Sequence, residues 1–164
     1  MGNSNSGHAI AQIRSSDDTK VLGYIYLDEQ SNGRTLIRGK LSGLPPGEHG
    51  IHIHERGNPT KCCSELGDHY NPFNKTHGGR TAKDMFGNAN RHVGDMGNII
   101  VKPNGTCEFG YEDDLINVSG TYNVLGRSIV IHENKDDLGL GHNEESKKNG
   151  NSGKRIAYGI IGIA

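Results

Sequence analysis

Apolar and polar residues alternate in short segments along this chain, which is the pattern of half-buried β-strands rather than of amphipathic helices. Turn signals such as Ser31-Asn32-Gly33 and Pro45-Pro46-Gly47 separate the first segments. The segments are residues 9–14, 20–27, 35–41, 50–54, 98–102, 107–111, 128–132 and 156–163. They predict about eight strands in an all-β fold, an antiparallel Greek-key barrel or sandwich.

Two long stretches, residues 55–94 and 133–154, carry no strand pattern. Loops of this length are uncommon in compact domains unless they are functional or disordered. The first holds His69, His77 and His92 and is followed by Asp95, and the second begins directly after His132. A disordered loop has no reason to collect imidazoles at these points, so we expect functional loops. The alternative is a chance scatter of surface histidines among the nine in the chain.

Length and composition fit a single domain. The chain has 164 residues, 32% of them hydrophobic, with 25 glycines and no tryptophan. We expect a flexible N-terminal extension over residues 1–7 and one domain over residues 8–164. The formal net charge of −1 supplies no basic surface for nucleic acid or anionic lipid.

The chain start and the cysteines predict a cytoplasmic protein. The start MGNSNS has neither the basic nor the apolar region of a signal peptide, and no later stretch is apolar enough to span a bilayer. The start also fits the Gly2 myristoylation pattern, although such Gly/Asn/Ser segments are commonly only disordered. Three cysteines, with Cys62 and Cys63 adjacent, do not form a secreted disulfide framework.

A histidine pair within one predicted strand is the first candidate for metal chemistry. His52 and His54 are two residues apart, so both imidazoles project from one face. Alone this pair could equally face solvent on an edge strand. The following series is more telling: His69, His77, His92, Asp95 and His132. Imidazoles with one carboxylate suit a His-rich zinc site beside a nitrogen-rich copper site. Seven side chains would serve eight ligand positions, so one imidazole would bind both metals.

Six runs of sequence, in this order, resemble the copper/zinc superoxide dismutases. They are GEHGIHIHE (47–55), GDHYNP (67–72), HGG (77–79), RHVGDMGN (91–98), GRSIVIHENKDDLG (126–139) and GNSGKRIAYGIIGIA (150–164). The resemblance covers nearly the whole chain from His8 onward. It implies an immunoglobulin-like Greek-key barrel with long zinc-binding and electrostatic loops, and an enzyme that converts superoxide to dioxygen and hydrogen peroxide by copper redox cycling.

The resemblance also implies a role for each site residue, with one copper and one zinc ion per subunit. Copper would be bound by His52, His54, His69 and His132, and zinc by His69, His77, His92 and Asp95. His69 would then bridge the metals and carry a proton during turnover. Asp136 would link a copper ligand to a zinc ligand, which fixes the tautomers of the rings. Arg155 would guide and orient superoxide.

The chain departs from the family pattern at several places, among them an apparent insertion over residues 80–90, and two departures bear on activation and assembly. Cys63 matches the first cysteine of the usual intrasubunit disulfide, but Tyr158 stands at the second position, so we expect activity without that bridge and without a disulfide-forming copper chaperone. Arg56 replaces an apolar residue at the family's dimer contact, which puts the homodimer in doubt. Two rival functions, a non-catalytic copper-delivery relative and an interaction module with structural zinc alone, are disfavoured because His52, His54, His132 and Arg155 are all present.

Overall fold

The apolar alternation produces eight antiparallel strands in this computed structural model, which describes residues 7–61 and 63–164. The strands are β1 (His8–Ser15), β2 (Val21–Glu29), β3 (Thr35–Ser42), β4 (Gly47–His54), β5 (Asp95–Val101), β6 (Thr106–Asp113), β7 (Ser128–His132) and β8 (Arg155–Ile163). All eight predicted strands are confirmed. Their ends differ from the sequence prediction by up to three residues, because Gly47 and Asp95 already pair in the β4–β5 ladder.

The strands follow the hydrogen-bonded order β5-β4-β7-β8-β1-β2-β3-β6. β5 and β6, at the two ends of this order, contact each other, so the sheet closes almost into a barrel. The neighbours β4–β7, β8–β1 and β3–β6 are not consecutive in the chain, which is the signature of Greek-key connections. The predicted all-β Greek-key fold is confirmed.

Alternate side chains of the strands fill the barrel. On β1, for example, Ala9, Ala11 and Ile13 are fully buried. A second, smaller group of buried side chains lies apart from this main core. We name it the Tyr158 cluster; it consists of Cys63, Leu66, Val130 and Tyr158, with the half-buried Ile160 packed against it.

The long loops contain two short helical segments that the sequence did not predict. A 3-10 turn spans Ser64–Leu66 and a helix, α1, spans Glu144–Asn149. The side chain of Asn143 caps the start of α1 by accepting a hydrogen bond from the Ser146 amide at 3.0 Å. Gly150 ends α1 in the left-handed conformation, with φ of 71°.

Most of the predicted N-terminal extension lies outside the described residues, as do the Gly2 myristoylation pattern and Cys62. Gly7 is described, and its amide donates to Glu29 Oε2 at 3.2 Å. No helix among the residues that the structure describes is long and apolar enough to cross a membrane.

Candidate metal centre

Three strands and one long loop bring the seven predicted ligands together in the interior. His52 and His54 lie on β4, His132 ends β7 and Asp95 begins β5. The loop before β5 supplies His69, His77 and His92. All seven residues are buried, and none is more than 6% exposed. Buried imidazoles collected in this way need partners for both of their ring nitrogens.

Backbone carbonyls fix the rings of His54 and His132. His54 Nδ1 lies 2.9 Å from the oxygen of Gly67, and His132 Nδ1 lies 3.0 Å from the oxygen of Gly153. A carbonyl oxygen can only accept, so each Nδ1 must carry the hydrogen and each Nε2 a lone pair. The two Nε2 atoms then face each other at 3.4 Å, a contact that neither ring can turn into a hydrogen bond.

Asp136 fixes two further rings at once. One of its oxygens lies 2.7 Å from His52 Nε2 and the other 2.7 Å from His77 Nε2. Both Nε2 atoms therefore donate to the carboxylate, so the Nδ1 atom of each ring is the one that can offer a lone pair when the ring is neutral. His52 Nδ1 is buried and has no hydrogen-bond partner. Asp136 thus lies between His52, which the resemblance assigns to copper, and His77, which it assigns to zinc.

His69 lies between two converging sets of atoms. Its Nδ1 is 3.0 Å from Asp95 Oδ1 and 3.1 Å from His92 Nδ1, and its Nε2 is buried without a hydrogen-bond partner. Its ring lies 3.9 Å from that of His52, centroid to centroid. The Nδ1 of His77 also reaches Asp95 Oδ1, at 2.8 Å. One nitrogen of His69 therefore faces the His52 side and the other faces the carboxylate.

The donor atoms fit two metal ions. The ligand atoms of His52, His54, His69 and His132 lie within 4.8 Å of one another, as do those of a second group formed by His52, His69, His77 and Asp95. His52 belongs to the second group only by distance, because its Nε2 is bound to Asp136. His92 is the better fourth ligand of the second group, since its Nδ1 lies 3.3 Å from Asp95 Oδ1. Each buried lone pair without a donor costs about 1–3 kcal/mol, which a cation would relieve.

Burial keeps the rings on the His52 side neutral. It lowers the pKa of His52, His54 and His69, and it lowers the pKa of His132 to about 4. Neutral imidazoles at pH 7 have the lone pairs that a metal requires. Each of these four rings can therefore bind one cation without first losing a proton, whereas His69 must lose its remaining proton to bind a second cation.

The carboxylate side has the opposite electrostatics. Burial opposes charge on Asp95, but hydrogen bonds from His69, His77 and His92 hold its pKa well below the usual value. Burial likewise opposes charge on His77, but hydrogen bonds to Asp136 and Asp95 raise its pKa to about 9. A divalent cation bound here would displace the proton of His77, since metal and proton compete for one lone pair.

Arg155 lies at the wall of a cleft of about 650 Å³ that leads to His54, His69 and His132. Its guanidinium donates to the carbonyl oxygens of Cys63 and Gly67, the latter at 2.6 Å. Partial burial lowers its pKa, but a guanidinium remains charged at pH 7. The cleft therefore contains a cation that is fixed by backbone contacts and is open to a small anion.

Two positioning groups were missed by the sequence analysis. The Gly67 carbonyl accepts hydrogen bonds from both Arg155 and His54. Asn98 holds Asp136 through two bonds: its Oδ1 accepts from the Asp136 amide at 2.7 Å, and its Nδ2 donates to the Asp136 carbonyl at 2.9 Å. A backbone carbonyl carries no sequence signal, whereas Asn98 lies inside the RHVGDMGN run and could have been considered.

Comparison with known proteins decides the family. The family model for copper/zinc superoxide dismutase matches residues 21–161. This chain belongs to the copper/zinc superoxide dismutase family. The reaction of the family is the conversion of superoxide to dioxygen and hydrogen peroxide, with copper and zinc as cofactors.

Individual relatives resemble the chain over nearly its whole length. An extracellular superoxide dismutase [Cu-Zn] of Onchocerca volvulus is 45% identical over 100% of this chain and 80% of its own length. Superoxide dismutase [Cu-Zn] 3 of Arabidopsis thaliana is 42% identical over 94% of this chain and 90% of its own. The crystal structure of the clock protein EA4 superposes with a TM-score of 0.87 at 37% identity, covering 100% of this chain and 99% of that one.

The prediction of a cytoplasmic protein is wrong. The Onchocerca relative is named extracellular, as is a relative from Drosophila melanogaster that is 43% identical over 90% of this chain and 79% of its own length. The prediction relied on the chain start and on the odd number of cysteines. An odd number of cysteines does not require a reducing compartment, because a thiol such as that of Cys107 can be buried in the barrel core without a disulfide.

Proposed function

We propose that this chain disproportionates superoxide at a paired copper and zinc centre with His69 as the shared ligand. Copper would be held by His52 Nδ1, His54 Nε2, His69 Nε2 and His132 Nε2. Zinc would be held by the Nδ1 atoms of His69, His77 and His92 together with Asp95 Oδ1. The observation that carries this proposal is the orientation of His69, whose Nε2 is buried without a partner while its Nδ1 lies beside Asp95 and His92.

The two metals would have different tasks. Copper, when bound, supplies the one-electron oxidation and reduction of superoxide, and zinc is redox-inert. A zinc site also ties the loop that carries His69, His77 and His92 to β5, because metal binding and loop order are coupled. Asp136 and Asn98 support both sites, since Asp136 holds one ring of each.

The chain's own contribution to the chemistry is a proton at His69 Nε2. This atom lines the cleft together with the rings of His54 and His132. Whenever it is not bound to copper, this atom can hold a proton while Nδ1 stays on the Asp95 side, and it can deliver that proton to a reduced oxygen anion in the cleft. The proton is held next to the reacting anion, so no diffusional step from bulk water is needed at that moment.

Arg155 would bind and orient the anion. The cleft is lined by four basic and three acidic side chains, although the whole chain is slightly acidic. The basic residues are Lys75, Lys147, Lys148 and Arg155, and the acidic residues are Glu55, Asp68 and Glu145. Superoxide is a small anion, and a cleft of this sign raises its local concentration. Lys147 donates to one backbone carbonyl, that of Gly139, whereas the guanidinium of Arg155 is held by two, those of Cys63 and Gly67.

We expect Arg155→Ala to lower kcat/KM for superoxide by about 10–100-fold, because both attraction and orientation of the anion are lost. Stopped-flow superoxide decay with the copper- and zinc-loaded protein would measure the change. Lys154→Ala is the matched control, since it removes the same formal charge one residue away. Equal losses in the two variants would contradict a specific role for Arg155 and indicate a general charge effect.

We make three further proposals, on the copper chaperone, the oligomeric state and the localisation of the protein. Activity without a disulfide-forming copper chaperone is supported by the absence of a cysteine at position 158. The Arg56 side chain, which is 63% exposed and lies 3.7 Å from Glu55, disfavours the family's homodimer contact, because burying this charge there would be costly. Two relatives are named extracellular, and we therefore place the activity outside the cell.

A further inference from the structure

One short backbone segment, residues 63–67, holds two groups of the proposed centre. The carbonyl oxygens of Cys63 and Gly67 both accept from the Arg155 guanidinium, and the Gly67 oxygen also accepts from His54 Nδ1 at 2.9 Å. The position of this segment therefore decides where Arg155 points. It also decides which nitrogen of His54 carries the proton.

The segment needs an external support, because its backbone is not relaxed. Cys63 has φ of 74°, in the left-handed region that residues with a Cβ atom seldom adopt. Such a conformation persists when the surroundings over-determine it. Among the described residues, one backbone bond spans the 3-10 turn that follows, from the Leu66 amide to the Cys63 carbonyl at 3.4 Å. Local hydrogen bonding alone is a weak restraint at this distance.

Packing in the Tyr158 cluster supplies that support. The side chains of Cys63 and Leu66 are buried against Val130 of β7 and Tyr158 of β8, and Leu66 is fully buried. Val130 and Tyr158 are paired residues of adjacent strands, so they form a rigid platform. Tyr158 is the largest member, and its side chain is 5% exposed. Its phenol oxygen lies 3.4 Å from Asp18 Oδ1, which is longer than a usual hydrogen bond between two oxygens.

We infer that Tyr158 is a positioning residue for Arg155, acting through residues 63–67, in a chain that has no cysteine at position 158 to tether this segment. The inference rests on the proposed function only for the role of Arg155. The packing itself, and its effect on the segment, do not depend on the reaction. The buried ring of Tyr158 carries the effect in this inference, and Tyr158→Phe tests the contribution of the hydroxyl group.

The test compares Tyr158→Ala and Tyr158→Phe with the unaltered, metal-loaded protein. Amide hydrogen exchange reports on the segment directly, because the amides of Arg56 and Glu55 donate to the carbonyls of Leu66 and Asp68, each at 2.9 Å. We expect Tyr158→Ala to speed exchange at these two amides by about tenfold or more, and Tyr158→Phe to leave it nearly unchanged. Ile37→Ala, in the main core on β3, is the control for a general loss of stability.

Activity provides the second readout, through a double-mutant cycle. Tyr158→Ala should lower kcat/KM by a larger factor in the unaltered protein than in the Arg155→Ala background, because most of the effect passes through Arg155 and only the rest through His54. Losses that multiply, or unchanged exchange at Glu55 and Arg56 in Tyr158→Ala, would overturn the inference. If Tyr158→Ala does not fold, Tyr158→Leu keeps most of the apolar volume and should give a smaller change of the same kind. Absence of superoxide activity in the unaltered protein would contradict the proposed function. The exchange measurement would still decide whether Tyr158 positions residues 63–67.

Discussion

His132→Ala is expected to reduce superoxide consumption by the metal-loaded protein to the level of the uncatalysed reaction, while zinc stays bound. His132 is the one copper-side ligand on β7, and its Nε2 faces His54 Nε2 at 3.4 Å. Loss of a group that only orients a metal ligand costs about 10–100-fold in metal affinity or activity, and loss of the ligand itself should cost more. The zinc-side atoms of His77, His92 and Asp95 make no hydrogen bond with this ring.

Metal analysis after dialysis, paired with stopped-flow superoxide decay, measures both parts of this prediction. His8→Ala is the matched control, because it removes an imidazole that is largely exposed and pairs with Asp28, away from the centre. Full activity in His132→Ala with normal copper content would contradict the ligand assignment. Joint loss of copper and zinc would instead mean that the two sites do not bind independently.

The strands and the histidine pair could be predicted because their signals are local. A period of two places Ala9, Ala11 and Ile13 inside the barrel. The same period places His52 and His54 on one side of β4, where their ring centroids lie 6.1 Å apart. These results depend only on neighbouring residues in the chain, and the structure confirms the strands from which they follow.

The groups that orient the rings could not be predicted in this way. The tautomers of His54 and His132 are set by the carbonyls of Gly67 and Gly153, which lie 13 and 21 residues away in the chain. Every residue has a carbonyl, so no side-chain pattern marks these two. The loop segments Ser64–Leu66 and Glu144–Asn149 are likewise too short to show a periodic pattern.

The proximity of Cys63 and Tyr158 shows what a resemblance adds to such patterns. These residues lie 95 positions apart, and neither alternation nor spacing connects them. The family pattern pairs their positions through a disulfide, and the structure shows their side chains in one buried cluster. The resemblance therefore indicated that these two positions are close in space, although here they are joined by side-chain packing and not by a disulfide bond.

Gly150 is the second position at which a small change should have a large effect. A Cβ atom at this residue would lie 1.9 Å from Asp136 Oδ1 and 2.6 Å from His77 Nε2. Neither group can withdraw easily, because Asp136 is fully buried and also holds His52 and the Leu138 amide, each at 2.7 Å. Gly150→Ala must therefore displace the carboxylate that orients one ring of each proposed metal site.

We expect Gly150→Ala to weaken zinc binding by about 10–100-fold, the usual cost of losing a partner that orients a ligand. The substitution also strains a backbone with φ of 71°, which costs about 1–2 kcal/mol by itself. Gly33→Ala separates the two effects, because Gly33 has φ of 80° and an added Cβ there would meet nothing within 4 Å. Zinc titration against a chelator, with thermal unfolding of the metal-free proteins, measures both. Gly33→Ala should lose stability alone, so equal zinc affinity in the two variants would show that Asp136 does not control the site.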